Sequence, residues 1–180
     1  MTLTEAIEGG DLLAAARAYV AAGVSVIPIR ADGSKAPKLA GWREYADRPP
    51  TDAELSEWFG PGSDAGIGVV MGPASGNLVV LDFECREGLS AYAEWLAGLS
   101  PELVAALADC PSVRTPSGGR HVWVRLAAPA PGARLARYAE GKVKIEVRGE
   151  GHQVLAPGCP ARCHKTGVPY EFENRGWLGC

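Results

Sequence analysis

Two apolar segments joined by a turn constrain the fold of this chain more than any other feature. GIGVVMG (residues 66–72) is an apolar run between glycines, and NLVVLDFE (77–84) follows it after the turn PASG. Short apolar runs bounded by turn residues are typical of buried β-strands. We therefore predict two strands of a sheet core, the second of which ends in two acidic residues.

The rest of the chain alternates between helical and strand-like patterns. Asp11 precedes apolar residues at helical spacing that end at Gly23, and Thr51 with Glu54 forms a capping box before a short helix. Segment 30–50 is rich in turn residues and predicts a long surface loop. Further helices are predicted at 88–99 and 101–107, and further strands at 24–29, 112–115, 119–126, 142–149 and 152–157. This order predicts an α+β (mixed α/β) fold with largely antiparallel pairing in its second half.

Length and composition predict one cytoplasmic domain. The 180 residues suffice for one substantial core, and no apolar run approaches the roughly 20 residues of a membrane span. The N-terminal residues lack the basic and apolar blocks of a signal peptide. The five cysteines are odd in number and scattered, which does not suit a secreted disulfide framework.

Charge is distributed unevenly along the chain. The net charge of −3 argues against a general nucleic-acid coat protein, but residues 113–148 contain eight basic side chains against two acidic ones. Two interpretations fit this pattern. One is a polyanionic partner on one face, and the other is a solvated surface lined by arginines.

Asp82 and Glu84 end the second apolar strand. Because side chains alternate along a strand, the two carboxylates point to the same side, about 7 Å apart, while Phe83 points to the other. Two like charges at the end of a buried strand are costly unless a cation or several donors lie between them. A divalent metal would satisfy this requirement. The alternative is a strand that simply emerges into solvent.

A second strand supplies a third acid. In KVKIEVRG, alternation places Lys144, Glu146 and Arg148 on one face. Three carboxylates and two divalent ions leave a slight positive excess to meet a triphosphate, and hard oxygen ligands favour Mg2+ or Mn2+ over zinc. The alternative is that Glu146 pairs with Arg148 or Lys144 on an exposed face.

The segment RTPSGGRH combines a glycine turn with basic residues. Backbone N–H groups at paired glycines can point at phosphate oxygens, and the neighbouring side chains add donors. The alternative is an ordinary tight hairpin turn with a structural histidine. The candidate phosphate ligands are Arg114, Ser117, Gly118, Gly119, Arg120 and His121.

The sequence CPARCH provides a weaker zinc pattern. Cys159, Cys163 and His164 offer three ligands, but tetrahedral zinc takes four, and only His152 and Cys180 are nearby in sequence. We therefore expect no zinc site here.

Taken together, these segments resemble the bifunctional primase-polymerase domain of the archaeo-eukaryotic primase superfamily. The resemblance covers about residues 12–172 and implies a single catalytic domain over 1–180. It implies two modules around a cleft, one with an antiparallel sheet like that of an RNA-recognition motif. Many relatives have Asp where Glu146 stands, a change that keeps the charge but lengthens the side chain.

The resemblance also implies the roles of the site residues. Asp82, Glu84 and Glu146 would hold two Mg2+ or Mn2+ ions, and His121 would contact the phosphates of the incoming nucleotide. It implies a DNA primase or polymerase in the replication of a plasmid, phage or other mobile element. Its partners would be single-stranded or primed DNA, ribo- or deoxynucleoside triphosphates, and a helicase domain or protein.

Further contacts extend this hypothesis. Arg148 adds positive charge for the nucleotide, whereas Lys35, Lys38, Arg43 and Lys144 are candidates for the DNA template. Two other functions use the same residues: a catalytically inactive DNA-binding replication module, and a metal-dependent nuclease. The carboxylates disfavour the first, and the phosphate-binding motif around His121 disfavours the second.

Overall fold

Antiparallel sheets dominate the fold. The computed structural model describes residues 1–86 and 89–179. One sheet has the order β1-β2-β10, a second has the order β11-β6-β7-β3-β9-β8, and β4 pairs with β5; every pairing between these strands is antiparallel. The strands are β1 (Val26–Ile29), β2 (Gly66–Val70), β3 (Leu78–Phe83), β4 (Cys85–Arg86), β5 (Leu89–Ser90), β6 (Ser112–Arg114), β7 (Arg120–Arg125), β8 (Ala133–Arg137), β9 (Val143–Arg148), β10 (Gln153–Leu155) and β11 (Glu171–Asn174). Together with the helices, this architecture confirms the predicted α+β class.

The helices begin where the sequence provides caps. The Asp11 side chain accepts a hydrogen bond from the Ala14 N–H at 2.9 Å, and the Thr51–Glu54 capping box is formed. A helix that the sequence pattern did not predict, α1, has its own capping box. The predicted helix 88–99 begins only at residue 91, and residue 88 lies outside the described part of the chain. The helices are α1 (Leu3–Glu8), α2 (Leu12–Ala21), α3 (Asp52–Phe59), α4 (Ala91–Ala97) and α5 (Pro101–Ala108).

The two apolar strands that dominate the sequence, β2 and β3, belong to different sheets. The turn between them is anchored by Ser75, whose buried hydroxyl donates to the Val70 carbonyl and accepts from the Ser25 N–H. Gly72 has φ 140°, a backbone conformation that other residues rarely adopt. This anchored turn directs the chain from the three-stranded sheet into the six-stranded one.

The six-stranded sheet is covered on both faces. Val80, Val113 and Trp123 belong to the main core, which also includes the three-stranded sheet and helices α1 to α3. On the opposite face, Phe83 and Val122 form a smaller cluster with side chains of α4 and α5. The sheet is therefore a central layer of the molecule, and its two faces have different surroundings.

The predicted loop 30–50 folds back onto the sheets. The Lys38 N–H donates to the Pro28 carbonyl, and Ser34 forms a β-bridge with His164. A short 3-10 helix, Trp42–Ala46, completes the segment.

None of the helices in residues 1–86 and 89–179 has both the length and the apolar character that a bilayer crossing needs.

Candidate functional site

Three candidate residues form one row across adjacent strands. Asp82 on β3 lies directly opposite His121 on β7 and, on its other side, directly opposite Glu146 on β9. Residues in register on neighbouring strands project from the same face of a sheet, with Cβ atoms about 5 Å apart. The fold thus brings together three residues that are separated by up to 64 positions in the sequence.

Asp82 is the centre of this row. One carboxylate oxygen is 3.5 Å from His121 Nε2 and the other is 3.4 Å from Arg148 Nε, while the side chain is only 14% exposed. Burial acts to raise the pKa of Asp82, but the hydrogen bond and charge of His121 and the charge of Arg148 outweigh it, so the pKa is lowered. His121 Nδ1 is buried and has no hydrogen-bond partner among the described residues.

Glu84 and Glu146 flank Asp82 differently. Glu84 follows β3 as an exposed residue, and its N–H donates to the Lys144 carbonyl at 3.1 Å. Although the residue as a whole is exposed, partial burial of its carboxyl group, and then the charge of Asp82, raise the pKa of Glu84. Glu146 has a side chain only 16% exposed, and it contacts Arg148 Nη2 at 3.0 Å. Glu146 therefore does pair with Arg148, as the alternative interpretation supposed, but its side chain is largely buried and does not lie on an exposed face.

A cavity of about 200 Å3 opens beside this row. Residues of the six-stranded sheet and of β10 in the three-stranded sheet line it together. The Tyr170 ring lies between two histidines, with its centroid 5.7 Å from that of His121 and 6.0 Å from that of His164. The lining residues are Lys35, Asp82, His121, Arg148, Gln153, Val154, Leu155 and Tyr170.

The segment 114–121 forms a tight hairpin turn. The Gly118 N–H donates to the Thr115 carbonyl at 2.9 Å, so it is already engaged within the turn, and Ser117 lies exposed near its tip. At Gly119 a Cβ would lie 2.3 Å from the Phe83 carbonyl oxygen, because β7 approaches β3 closely there. Glycine is therefore required for packing at this position.

Arg114 and Arg120 are not brought to the carboxylate row. Arg120 lies opposite Phe83 in the β3–β7 register, so both arginines project from the face opposite Asp82 and His121. Arg114 pairs with Glu171, and Arg120 pairs with Glu173 at 2.7 Å. The physical reason is the alternation of strand side chains, which sends Arg120 and His121 to opposite faces.

The predicted template ligands are scattered. Lys38 forms an ion pair with Asp64 at 2.6 Å, Arg43 lies over the Trp42 ring, and Lys144 pairs with Glu94. Lys35 instead lines the cavity. Partial burial lowers the pKa of its ammonium group, whereas the charges of Asp82 and Glu84 act in the opposite sense.

The residues missed by sequence reasoning are those that complete the cavity. Gln153, Val154 and Leu155 come from β10, which was predicted as a strand without a functional role. Tyr170 follows a glycine- and proline-containing segment with no regular pattern. No local signal marks these residues, because they reach the site only through the packing of one sheet on the other.

The donor set near Asp82 suits a hard divalent ion, since it consists of carboxylate oxygens. In residues 1–86 and 89–179, however, no three His, Cys, Asp or Glu side chains converge as a metal site. Arg148 contacts both Asp82 and Glu146. An ion that used both carboxylates would therefore require Arg148 to move away from at least one of them.

The cysteine pair of the zinc pattern is buried. Cys159 and Cys163 pack against Gly66, where a Cβ would lie 2.4 and 2.5 Å from their sulfur atoms. The His164 Nδ1 atom lies 2.7 Å from the Thr166 hydroxyl. Cys180, considered as a fourth ligand, lies outside the described residues. The absence of zinc stays a prediction, which metal analysis of the purified protein would test.

Comparisons with known proteins identify the family. No curated protein matches the chain. The family described as bifunctional DNA primase/polymerase, N-terminal, matches residues 16–178, which is nearly the whole chain. This match points to a DNA primase or polymerase that uses a DNA template and nucleotide substrates. The chain therefore belongs to the bifunctional DNA primase/polymerase family, whose N-terminal domain it matches.

Proposed function

We propose that this protein is a template-dependent nucleotidyltransferase that adds nucleotides to the 3′-hydroxyl of a nucleic-acid primer with two divalent metal ions. One observation carries the proposal. His121, Asp82 and Glu146 stand in register on three neighbouring strands, and two of them, Asp82 and His121, line a cavity that positively charged side chains also line. A site with carboxylates for metals and cations for phosphates suits phosphoryl transfer.

The carboxylates would hold the ions. Asp82, Glu84 and Glu146 provide hard oxygen ligands, and Mg2+ or Mn2+ bound to them would activate the primer hydroxyl and stabilise the pyrophosphate leaving group. Arg148 contacts two of these carboxylates, those of Asp82 and Glu146. Its release on metal binding would leave a cation beside the phosphates of the nucleotide.

His121 would bind a phosphate of the incoming nucleotide. Its Nε2 faces Asp82, whereas its Nδ1 is a buried polar atom without a partner among the described residues. Burying such an atom is costly, and a ligand can compensate for this cost. In the turn, a Cβ at Gly118 would lie 3.8 Å from Cys85, the neighbour of Glu84.

The template would follow the basic part of the six-stranded sheet. Of the basic residues in 113–148, Arg134 and Lys142 have side chains that form no hydrogen bond or ion pair within the described part of the chain. Both are exposed. Their contacts to DNA phosphates would be few, so template binding should be weak and sensitive to salt. Replication of a plasmid, phage or other mobile element, with a helicase as partner, is the setting that we propose.

Primer extension with matched variants tests this function. We expect wild-type protein with primed template, Mn2+ and labelled deoxynucleotides to extend the primer. Asp82→Asn and Glu146→Gln keep the side-chain shape and remove the charge, so extension should fall by at least about 100-fold. Asp52 on α3 forms an ion pair with Arg17 on α2, so Asp52→Asn makes the same chemical change away from the site and should retain activity.

The same assay identifies the rival functions. Cleavage of the template without extension, lost in Asp82→Asn, would establish a nuclease instead. Neither extension nor cleavage, with template binding retained, would leave only a DNA-binding module. Extension that persists in both carboxylate variants would refute the proposed site.

A further inference from the structure

Lys35 occupies an unexpected place for a residue of a long polar loop. It lines the same cavity as Asp82, His121 and Arg148, and the charges of Asp82 and Glu84 act on its ammonium group. Within the described part of the chain, no carboxylate lies close enough to form an ion pair with its Nζ atom. Its three N–H donors are therefore available to a ligand.

The backbone holds Lys35 in this place. Its carbonyl accepts a hydrogen bond from the Gln153 side chain at 3.0 Å, and Gln153 also lines the cavity. The neighbouring Ser34 is bridged to His164. Lys35 itself has φ 62°, a left-handed conformation that is uncommon for a lysine. A strained residue persists only where its surroundings determine its conformation, and such residues cluster at ligand sites.

We propose that Lys35 binds the polyphosphate of the incoming nucleotide, and that it is not a template ligand. This inference rests on the proposed nucleotidyl-transfer function. The cavity of about 200 Å3 can admit phosphate groups, but it is too small for a nucleic-acid strand. The carboxylates recruit positively charged ions, so the phosphates that accompany those ions are the anions that an ammonium group would meet here.

Binding of the nucleotide and binding of the template by Lys35 would change different measured quantities. A nucleotide ligand affects the KM for nucleotide, whereas a template ligand affects the dissociation constant for DNA and its salt dependence. Lys35→Asn removes the ammonium group, and asparagine tolerates the left-handed conformation. Lys35→Gly is a second variant that fits the same backbone without strain. Lys165→Asn is the matched control, because Lys165 is a nearby exposed lysine outside the cavity.

We expect both Lys35 variants to raise the KM for deoxynucleotide by about tenfold or more, since a hydrogen bond to a charged group is worth at least that factor. Template affinity, measured by fluorescence anisotropy, should stay within about twofold of wild type. The Lys165→Asn control should change neither quantity by more than that. Matching melting temperatures would show that the variants are folded.

Two results would overturn the inference: an unchanged KM for nucleotide, or a template affinity that falls while that KM stays constant. Direct binding of a fluorescent ATP analogue with Mn2+ separates this inference from the proposed function. Binding that is weaker in the Lys35 variants would support the inference even if wild-type protein extended no primer. Binding that is equal in wild type and variants would refute it.

Discussion

Arg148 is the residue whose removal tests the metal site most directly. Its guanidinium contacts Asp82 at 3.4 Å and Glu146 at 3.0 Å, on the face where metal ions are proposed to bind. Arg148→Met keeps a long side chain and removes the charge, so it separates electrostatics from packing. Without divalent ions we expect this variant to be less stable, because two nearly buried carboxylates lose their shared cation.

The stability lost in Arg148→Met can be estimated from the exposure of the three side chains and from the distances between them. The carboxylate side chains are 14% and 16% exposed, whereas Arg148 is 34% exposed and its contact with Asp82 is long. Hydrogen bonds to charged groups contribute about 1.5–3 kcal/mol, and screening by solvent at the partly exposed Arg148 reduces this to about 1–2 kcal/mol. For a chain of 180 residues, the melting temperature should fall by about 2–8 °C.

Divalent ions should stabilise Arg148→Met more than they stabilise the wild-type protein. In the wild-type protein an ion must displace Arg148, whereas in Arg148→Met the carboxylates are free. A ligand present at a hundred times its dissociation constant adds about 2.7 kcal/mol of stability. Differential scanning fluorimetry over a Mn2+ titration should therefore show a larger rise in melting temperature for Arg148→Met than for wild type, beginning at a lower Mn2+ concentration.

Two variants control this experiment. Arg114→Met removes an arginine that pairs with Glu171 on the opposite face of the sheet, so its Mn2+ response should equal that of wild type. Adding Glu146→Gln to Arg148→Met should reduce the enhanced response. An equal Mn2+ response in wild type and Arg148→Met would show that Arg148 and the metal do not compete for these carboxylates, and would refute the reasoning.

Three further predictions concern other parts of the molecule. Gly119→Ala places a Cβ 2.3 Å from the carbonyl oxygen of Phe83, so the free energy of unfolding in urea should fall by about 1–3 kcal/mol; an unchanged transition would contradict this close approach. Hydrogen bonds from Arg48 lower the pKa of Glu54 well below its usual range, so its stabilisation is present at neutral pH and is lost as the pH falls from about 5 toward that lowered pKa. The difference in melting temperature between wild type and Glu54→Gln should therefore shrink on acidification, and a constant difference would exclude the charge as its cause. Burial raises the pKa of Glu84, so its ionised form costs stability once the pH exceeds that pKa; with EDTA present, Glu84→Gln should melt above wild type at pH 8 but not at pH 4, and equal melting at both would argue against the raised pKa.

Local rules were sufficient for most of the elements. Capping by Asp11 and by Thr51 with Glu54 located two helices, because a cap depends only on residues within one turn. Strand β8 (Ala133–Arg137) was missed. It is an exposed edge strand without a buried apolar face, so it lacks the alternating pattern by which strands are recognised.

The candidate phosphate ligands do not share one face of the sheet. Alternation places Arg120 and His121 on opposite faces, although their proximity in sequence suggested a single anion site. The β3–β7 register then separates Arg120 from the cavity and leaves His121 beside Asp82. Proximity in sequence is a poor guide within a strand, where every second residue faces another environment.

By itself, the sequence determined the family and the strand character of the carboxylate segments, since these depend on neighbours along the chain. The tertiary structure alone decided which strands are adjacent, because that choice depends on burying the apolar faces of two sheets together. It placed Arg148 between Asp82 and Glu146. It also brought Lys35 against Gln153, 118 positions later in the chain. As a result Lys35, which the sequence suggested as a template ligand, lines the cavity of the candidate site.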